Sequence, residues 1–356
     1  MDIFSLAKPL LFALSPETAH GLVIRLLKAG LVPSAHERDD DALRTKLWGL
    51  EFPNPVGLAA GFDKNAEVAD AMLAQGFGFV ETGTVTPRPQ PGNEKPRIFR
   101  LEKDLAVINR LGFNNRGLEA YMARLARRRG LGKPGIVGAN IGANKDSDDP
   151  IQDYVTGLDR LLSYADYFTV NISSPNTPGL RKLQGREALD ELLTRLVATR
   201  EAALNRLSVV PPLLVKIAPD LDEAEKRDIA DIIVKHKVDG LIVSNTTIGF
   251  REQLRSSHRE ETGGLSGQPL FEFSTAVLAD MYRLTEGKIP LIGVGGVSNG
   301  RQAYEKIRAG ASLIQLYSAL IYHGPGLVGT IKKELLECLR RDGYSEISQA
   351  VGAAHR

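Results

Sequence analysis

The chain has 356 residues, of which 43% are hydrophobic and 25% are charged, a composition typical of a globular protein with ample material for a core. Its 45 basic and 43 acidic residues leave a net charge of +2, so no global attraction to nucleic acid is expected. The single cysteine, Cys338, excludes a disulfide framework, an iron–sulfur cluster and a cysteine-rich zinc site within one chain. It also fits a reducing, cytoplasmic setting. The six histidines form no His-x-x-x-His pair, and no metal site is expected.

The N-terminus predicts two short helices, over residues 3–13 and 16–29. Ser15 and Pro16 are typical of an N-cap followed by the first helical position. A helix of about 12 residues spans only about 18 Å, against about 30 Å of hydrocarbon, so neither helix is expected to cross a bilayer. Asp2, in place of a basic start, argues against a signal peptide. The two helices either lie on an anionic membrane surface or cap the main domain.

From about residue 50 onward, eight short apolar runs alternate with amphipathic helical stretches, which favours parallel strand pairing. Eight such units over roughly 290 residues fit a (β/α)₈ TIM barrel, whose usual size is about 250 residues. A doubly wound open sheet is the alternative, but residues 293–300 lack the third glycine of the Gly-x-Gly-x-x-Gly fingerprint at its proper offset. The predicted strands are 55–61, 79–85, 136–141, 167–173, 213–217, 240–244, 291–295 and 313–317, and the predicted helices are 66–75, 117–129, 151–165, 186–206, 222–237, 272–285, 300–309 and 325–340.

Two connections, residues 86–116 and 246–271, are too long for simple turns. Long loops within a compact domain are usually functional, and in a barrel they would cover the C-terminal face, where barrel active sites lie. Residues 33–46 are polar and charged and predict a linker. We therefore expect an α/β chain with three regions: a helical extension with its linker over 1–46, the barrel over 47–345, and a C-terminal tail over 346–356.

Polar residues or glycines stand at the carboxyl end of every predicted strand. The carboxyl ends of parallel barrel strands meet at one face, so these residues are expected to converge there. Turn formation alone explains such a convergence poorly, and the sequence therefore predicts an active site at this face. The residues concerned are 63–65, Thr82, Thr84, Asn140, 171–176, Lys216, 244–247, 295–296 and 317–318.

The stretch 167–181 begins as a buried strand and ends as a polar loop with Asn and Ser side chains. Pro175 and Pro178 fix φ and remove two backbone donors, so the loop is expected to be stiff, as a catalytic constellation requires. A turn without chemistry is the alternative.

Lys216 lies within the apolar run 213–217, where burying its charge without a partner is costly. It either forms a salt bridge or stabilises negative charge on a bound group. The glycine-rich stretches 293–300 and 317–326 follow the last two strands, a region that often holds a phosphate in barrels. The residues thus indicate a barrel enzyme with a phosphate-bearing cofactor and a small anionic substrate, with Lys64 as a candidate partner for a carboxylate.

Five motifs, over 57–65, 81–90, 109–114, 171–181 and 263–267, resemble those of the dihydroorotate dehydrogenases, and the likeness covers nearly the whole chain. The N-terminal helices, and a serine where the cytosolic class carries its catalytic cysteine, are similar to the membrane-associated, quinone-dependent class, class 2. The resemblance implies an FMN-containing (β/α)₈ barrel. Such an enzyme oxidises dihydroorotate to orotate in de novo pyrimidine biosynthesis and passes the electrons to a membrane quinone.

The resemblance also implies roles for single residues. Ser174 is expected to be the general base that takes the C5 proton, and Lys216 to stabilise negative charge on the flavin. The expected substrate-binding residues are Lys64, Asn109, Arg110, Leu111, Gly112, Phe113, Asn171, Asn176, Asn245 and Thr246. The expected FMN-binding residues are Ala60, Gly61, Phe62, Asp63, Lys64, Thr84, Asn140, Asn171, Lys216, Ser244, Gly267, Gly296, Tyr317 and Ser318. The positions expected near the quinone are His20, Arg100 and Tyr317.

From the resemblance we expect a monomer with one FMN, lying peripherally on the cytoplasmic side of the inner membrane, with the N-terminal helices as the quinone entry. No nucleic-acid partner is expected. Three alternatives stay open: a flavin barrel of the cytosolic class that uses fumarate or a nicotinamide relay, a flavin-free phosphate-binding lyase or isomerase, and a non-enzymatic peripheral membrane module. The serine at position 174 disfavours the first, and the last leaves the strand-end polar residues unexplained.

Overall fold

The computed structural model of the chain describes residues 3–35 and 38–356. Within these ranges the strands are β1 (Thr45–Leu47), β2 (Leu50–Phe52), β3 (Val56–Leu58), β4 (Phe79–Val85), β5 (Ile98–Leu101), β6 (Ala106–Asn109), β7 (Ile136–Ile141), β8 (Tyr167–Asn171), β9 (Leu213–Ile217), β10 (Gly240–Val243), β11 (Gly264–Gly267), β12 (Leu291–Val294) and β13 (Ala311–Leu316). The helices are α1 (Ile3–Ala13), α2 (Pro16–Lys28), α3 (Ala69–Leu73), α4 (Leu118–Gly130), α5 (Pro150–Leu161), α6 (Arg186–Ala203), α7 (Glu223–Lys235), α8 (Phe271–Leu284), α9 (Gly300–Arg308), α10 (Ser318–His323) and α11 (Leu327–Asp342).

Eight parallel strands form a closed barrel in the order β3-β4-β7-β8-β9-β10-β12-β13, and β13 pairs with β3 to close it. The strands that the alternation predicted all belong to this ring, and a helix follows each of them. The predicted barrel is therefore confirmed, and the open doubly wound sheet is excluded because no barrel strand keeps a free edge.

Aromatic rings fill the amino-terminal end of the barrel, which we call its base. The Phe52 ring, from the β1–β2 hairpin, meets the Phe79 ring edge-on with 5.3 Å between centroids, and Phe79 meets Tyr167 at 6.2 Å. Two glycines make room for these rings. A Cβ added at Gly57 would lie 2.2 Å from the Phe79 ring, and one at Gly138 would lie 2.1 Å from the Tyr167 ring. The packing leaves the opposite, carboxyl-terminal end of the barrel for a cavity.

The predicted N-terminal helices are present as α1 and α2. The Ser15 hydroxyl caps α2 by accepting from the Thr18 N–H, and Pro16 takes the first helical position. On α1, Leu6 is 62% and Leu10 is 75% exposed. Within the described ranges, every helix is too short or too polar to traverse a bilayer.

The two long connections contain secondary structure that the sequence patterns did not predict. β5 and β6 lie in the first connection and β11 lies in the second, and the three pair antiparallel in the order β11-β6-β5. Each strand is only four residues long, so its alternation is too brief to recognise. The helix α10 was missed for the same reason of length.

The expected linker and tail are both partly ordered against the barrel. His36 and Glu37 of the linker lie outside the described residues, but Leu43 is buried and β1 begins at Thr45. The expected boundary between residues 46 and 47 thus falls inside β1. In the C-terminal segment, Ile347 and Ala350 are buried in the main core.

We expect Gly138→Ala to destabilise the protein by roughly 1–3 kcal/mol, because the Tyr167 ring is fully buried and cannot move away from the added methyl group. Gly329→Ala is the matched control. Gly329 lies in α11 with no atom within 4 Å of an added Cβ, so the change should stabilise the helix by about 0.5–1 kcal/mol. Urea unfolding of both variants measures the difference, and equal stabilities would contradict the packing described for the barrel base.

Candidate active site

A cavity of about 200 Å³ opens at the carboxyl ends of the barrel strands, between the strand ends and the β5–β6–β11 sheet. Most of the residues that the sequence analysis assigned to substrate or cofactor line it. Barrel closure brings them together from distant parts of the chain. They are Ala60, Gly61, Lys64, Thr84, Asn109, Leu111, Gly112, Phe113, Asn171, Ser174, Asn176, Lys216, Ser244, Asn245, Thr246, Gly267, Gly296, Tyr317 and Ser318.

Several expected site residues lie outside the cavity lining. The Asp63 carboxylate is turned into the fold, where it accepts from the N–H groups of Glu67 at 2.8 Å and Val68 at 2.7 Å. The Arg110 guanidinium bonds Glu261 at 2.7 Å. Asp63 and Arg110 therefore hold the shape of their loops in this structure, and their expected ligand contacts stay predictions.

Thr82 and Thr84 lie two residues apart on β4, a spacing that places both side chains on the same side of a regular strand. The pairing of β4 with β7 shifts register between Gly83 and Val85, and the two hydroxyls face opposite sides of the barrel wall. The Thr82 hydroxyl lies 2.5 Å from the Tyr121 hydroxyl of α4, in the helical layer. The expectation that Thr82 belongs to the polar set at the strand ends is therefore wrong. Thr84 faces inward, where its hydroxyl donates to Asn140 Oδ1 at 2.5 Å. Asn140 thus lies one step behind the cavity wall.

The loop that carries Ser174 is held by Arg181. The Arg181 guanidinium donates to the carbonyls of Ser173 and Thr246, each at 3.0 Å, and bonds Asp220 at 2.9 Å. Ser174 is buried, and its Oγ accepts from the Asn176 N–H at 3.2 Å. The two prolines suggested a stiff loop, but no sequence pattern indicated that Arg181 joins this loop to the segment that follows β10.

Asparagine amides connect the loops around Ser174. The Asn171 Nδ2 group donates to Thr84 Oγ1 at 2.9 Å, and its Oδ1 accepts from the Ser173 hydroxyl at 3.0 Å. The Asn245 amide donates to the Ser173 hydroxyl at 2.9 Å and to Asn171 Oδ1 at 3.3 Å. Each amide therefore has a set orientation before any ligand binds.

Two lysines bring positive charge to the cavity. Burial lowers the pKa of Lys64 to about 8, and its ammonium donates to the Gly61 carbonyl at 2.7 Å. Lys216 is 6% exposed, and burial lowers its pKa while the negative charge of Glu81 opposes that effect. Among the described residues, none accepts a hydrogen bond from the Lys216 ammonium. Within the described ranges Lys216 thus forms no salt bridge, and the lysine has capacity for an anionic ligand.

The loop after β12 has the backbone geometry of a phosphate cradle. Gly295 and Gly296 have φ of +112° and +76°, and a Cβ at Gly296 would lie 2.5 Å from the Phe271 backbone. Behind this loop, the fully buried Lys306 ammonium donates to the Ser274 hydroxyl at 2.8 Å, and that hydroxyl donates to the Gly295 carbonyl at 3.1 Å. This loop lines the cavity, and backbone N–H groups at such a glycine turn suit a phosphate.

The N-terminal helices meet the cavity through aromatic side chains. The His20 ring packs edge-on against Phe62 with 5.3 Å between centroids, and Phe62 packs against Tyr317, which lines the cavity. Burial, with the nearby charge of Lys64, lowers the pKa of His20 to about 3, so the imidazole is neutral near pH 7. Arg100 donates to the Leu11 carbonyl at 3.3 Å.

Arg97 fastens α2 to the loop that covers the cavity. Its guanidinium is 6% exposed, bonds both carboxylate oxygens of Glu17 at 3.2 and 2.7 Å, and donates to the Pro91 and Asn93 carbonyls at 2.7 Å. The Asn93 amide in turn donates to the Asn176 carbonyl at 3.1 Å. Sequence reasoning missed this connection, which joins residues distant in the chain.

The sequence analysis also missed the apolar wall of the cavity. Ile98, Leu105 and Val107 reach it from the β5–β6 hairpin, and Ile321 reaches it from α10. Gln315, which points into the barrel from β13, was missed as well. Its position between apolar residues of the last predicted strand was an available signal, because a buried amide needs partners.

The closed barrel and the polar cavity at its carboxyl-terminal face define the chain as a (β/α)₈ barrel enzyme. Comparison with known proteins specifies the family. Residues 42–339 match the family described as "Dihydroorotate dehydrogenase". The chain belongs to the dihydroorotate dehydrogenase family, as the resemblance indicated.

Relatives from bacteria match over almost the whole chain. The protein named "Dihydroorotate dehydrogenase (quinone)" from Parvibaculum lavamentivorans is 56% identical, and the protein of the same name from Azorhizobium caulinodans is 54% identical; each match covers 99% of both chains. Among solved structures, the ligand-free DHODH from Eimeria tenella has a TM-score of 0.91 and 46% identity, covering 96% of this chain and 99% of that one.

Proposed function

We propose that the chain is a quinone-dependent dihydroorotate dehydrogenase, which oxidises dihydroorotate to orotate in de novo pyrimidine biosynthesis and passes the electrons to a membrane quinone. The observation that carries the proposal is the juxtaposition of Ser174, the asparagine amides and two lysines in one cavity of a barrel of this family. Relatives named for the quinone-dependent activity, at 54–56% identity over 343 to 355 residues, support the quinone as acceptor.

FMN fits the residues present. The Lys216 ammonium lacks a partner among the described residues, the buried Oε1 of Gln315 likewise lacks one, and the Gly295–Gly296 loop forms a cradle for the phosphate. When bound, FMN accepts a hydride from the substrate and delivers electrons to the quinone. One FMN per chain would be held by Ala60, Gly61, Phe62, Asp63, Lys64, Thr84, Asn140, Asn171, Lys216, Ser244, Gly267, Gly296, Tyr317 and Ser318.

The substrate would lie over the Ser174 loop. Ser174 takes the C5 proton as its own hydroxyl proton is released to solvent, Lys64 pairs with the substrate carboxylate, and Lys216 stabilises negative charge at the cofactor. The amides orient the substrate ring through hydrogen bonds, and the apolar wall excludes water from the reacting atoms. The substrate-binding set is Lys64, Asn109, Arg110, Leu111, Gly112, Phe113, Asn171, Asn176, Asn245 and Thr246.

The quinone would enter between α1 and α2 and reach His20, Arg100 and Tyr317. The exposed leucines of α1 support an apolar entrance that rests on a membrane surface. The proposed regions are thus an access segment over 1–46, the FMN-binding barrel over 47–345 and a tail over 346–356. We place the chain as a monomer, bound peripherally on the cytoplasmic side of the inner membrane.

An anaerobic titration of the purified protein with dihydroorotate tests the proposed function. We expect the flavin absorption band to bleach and a soluble quinone to restore it, which would identify donor, cofactor and acceptor together. A flavin band that dihydroorotate leaves unchanged would contradict the substrate. If no flavin band is seen, even after addition of FMN, the result would favour the alternative function of a flavin-free, phosphate-binding lyase or isomerase.

We expect Ser174→Ala to retain FMN and to slow flavin reduction by about 10²–10⁴-fold, the usual contribution of a positioned base. Thr194→Val is the control. Thr194 lies on the exposed side of α6, outside the cavity lining, and its hydroxyl donates to the Asp190 carbonyl of its own helix, so its removal should leave the rate within about twofold. Stopped-flow reduction by dihydroorotate measures both variants, and a Ser174→Ala rate near that of the native protein would remove Ser174 as the base.

Deletion of residues 2–14 tests the quinone entry. The truncation removes α1 but retains the Ser15 cap and the Glu17–Arg97 ion pair, so the substrate side should stay intact. We expect unchanged flavin reduction, but kcat/KM for a long-chain quinone about tenfold lower, equivalent to about 1.4 kcal/mol of lost binding. Unimpaired turnover with that quinone would show that α1 is not part of the entrance.

A further inference from the structure

We propose that Glu81, in β4, is a positioning residue that sets the direction of the hydrogen-bond chain through the cofactor and substrate site. This inference rests on the proposed function, because it assigns to Glu81 an effect on bound FMN. Glu81 does not itself line the cavity. It contacts the site through Asn140, which is among the expected FMN-binding residues, and through Gln315, which lines the cavity.

The Glu81 carboxylate lies inside the barrel with 0% exposure. Four neutral side chains donate to it: the Asn140 amide at 2.7 Å, the Gln315 amide at 2.8 Å, the Thr169 hydroxyl at 3.0 Å and the Tyr167 hydroxyl at 3.1 Å. A carboxylate that collects four donors is ionised, since a protonated carboxyl would turn one donor contact into a repulsion. Burial and the charge of Glu81 raise the pKa of Tyr167, so that hydroxyl stays protonated and donates.

An ionised carboxylate only accepts hydrogen bonds, and this fixes the amide of Asn140. The Asn140 Nδ2 group must face Glu81, so Oδ1 must face Thr84 and accept from its hydroxyl at 2.5 Å. The Thr84 oxygen is then left as an acceptor, which determines that the Asn171 Nδ2 group faces it at 2.9 Å. Asn171 Oδ1 consequently faces Ser173 and accepts from its hydroxyl at 3.0 Å.

All members of the chain therefore donate in one direction, from the Ser173 loop down to Glu81. Thr84 and Asn171 line the cavity, and Ser173 precedes Ser174, so the direction of the chain decides which atoms the site offers to ligands. Gln315 is fixed in the same way. Because its Nε2 group faces Glu81, its Oε1 is left without a partner among the described residues, as an acceptor beside the cavity.

The expected effect of Glu81→Gln is that the direction of donation in the hydrogen-bond chain reverses. The glutamine has an NH₂ group that must donate, so Asn140 can turn its Oδ1 toward position 81, and Thr84 and Asn171 can reverse after it. The side chain keeps its shape, but the buried negative charge is lost. A role limited to packing would be insensitive to the direction of the donors.

We test this by measuring FMN binding and the two-electron midpoint potential of bound FMN, with dithionite as reductant. For Glu81→Gln we expect FMN to bind about tenfold more weakly, in line with the loss of other supporting residues behind a ligand. The midpoint potential should shift to a more positive value, because removal of a buried anion favours reduction. Thr169→Val is the matched control, since it removes one donor to the same carboxylate but leaves its charge and the chain direction.

Equal values for Glu81→Gln and Thr169→Val would overturn the inference. A neutron structure of the native protein gives a test that needs no variant: we expect the Asn140 deuterons to face Glu81, and a deuteron on the Glu81 carboxyl would overturn the inference. If FMN binds but dihydroorotate fails to reduce it, the proposed function is wrong. The role of Glu81 is still tested in that case, by the FMN affinity and by the midpoint potential measured with dithionite. If the native protein binds no FMN, both fail.

Discussion

The barrel strands satisfy their backbone hydrogen bonds only by pairing in a closed ring, in which β13 returns to β3. Closure has two consequences. It brings the carboxyl ends of eight strands to one rim, where residues from distant parts of the chain share a cavity. It also creates an interior on the inner face of the strands, which aromatic rings fill at the base and polar side chains occupy near the rim.

Burial of opposite charges in that interior gives the site its electrostatic character. Glu81 is surrounded by neutral donors, whereas Lys216 has no hydrogen-bond partner among the described residues. A buried cation without a partner is costly, and a site that retains one is suited to bind an anion. A binding site also needs its polar atoms in fixed positions. Arg181 and the asparagine amides hold the loops in place before a ligand arrives.

Long, strongly patterned elements were predictable, and short elements were not. The apolar runs and amphipathic helices predicted the barrel, and the polar residues at strand ends predicted the face that carries the site. The strands β5, β6 and β11 escaped prediction because each has only four residues, too few for its alternation to be recognised. Thr82 was misassigned because residues two apart share one side of a regular strand. The register shift of β4 between Gly83 and Val85 instead leaves Thr82 against α4 while Thr84 faces the cavity.

The sequence by itself determined the fold class, the end of the barrel that carries the chemistry, and the family, because these depend on local periodicity and on motifs of adjacent residues. Tertiary structure alone decided which of those residues face one another. Among the residues that the structure describes, it left Lys216 without a salt bridge, turned Asp63 and Arg110 toward the protein, and joined α2 to the cavity through Arg97. The physical reason is that hydrogen bonds and charge pairs act over a few ångströms, and only chain closure decides which side chains come within that distance.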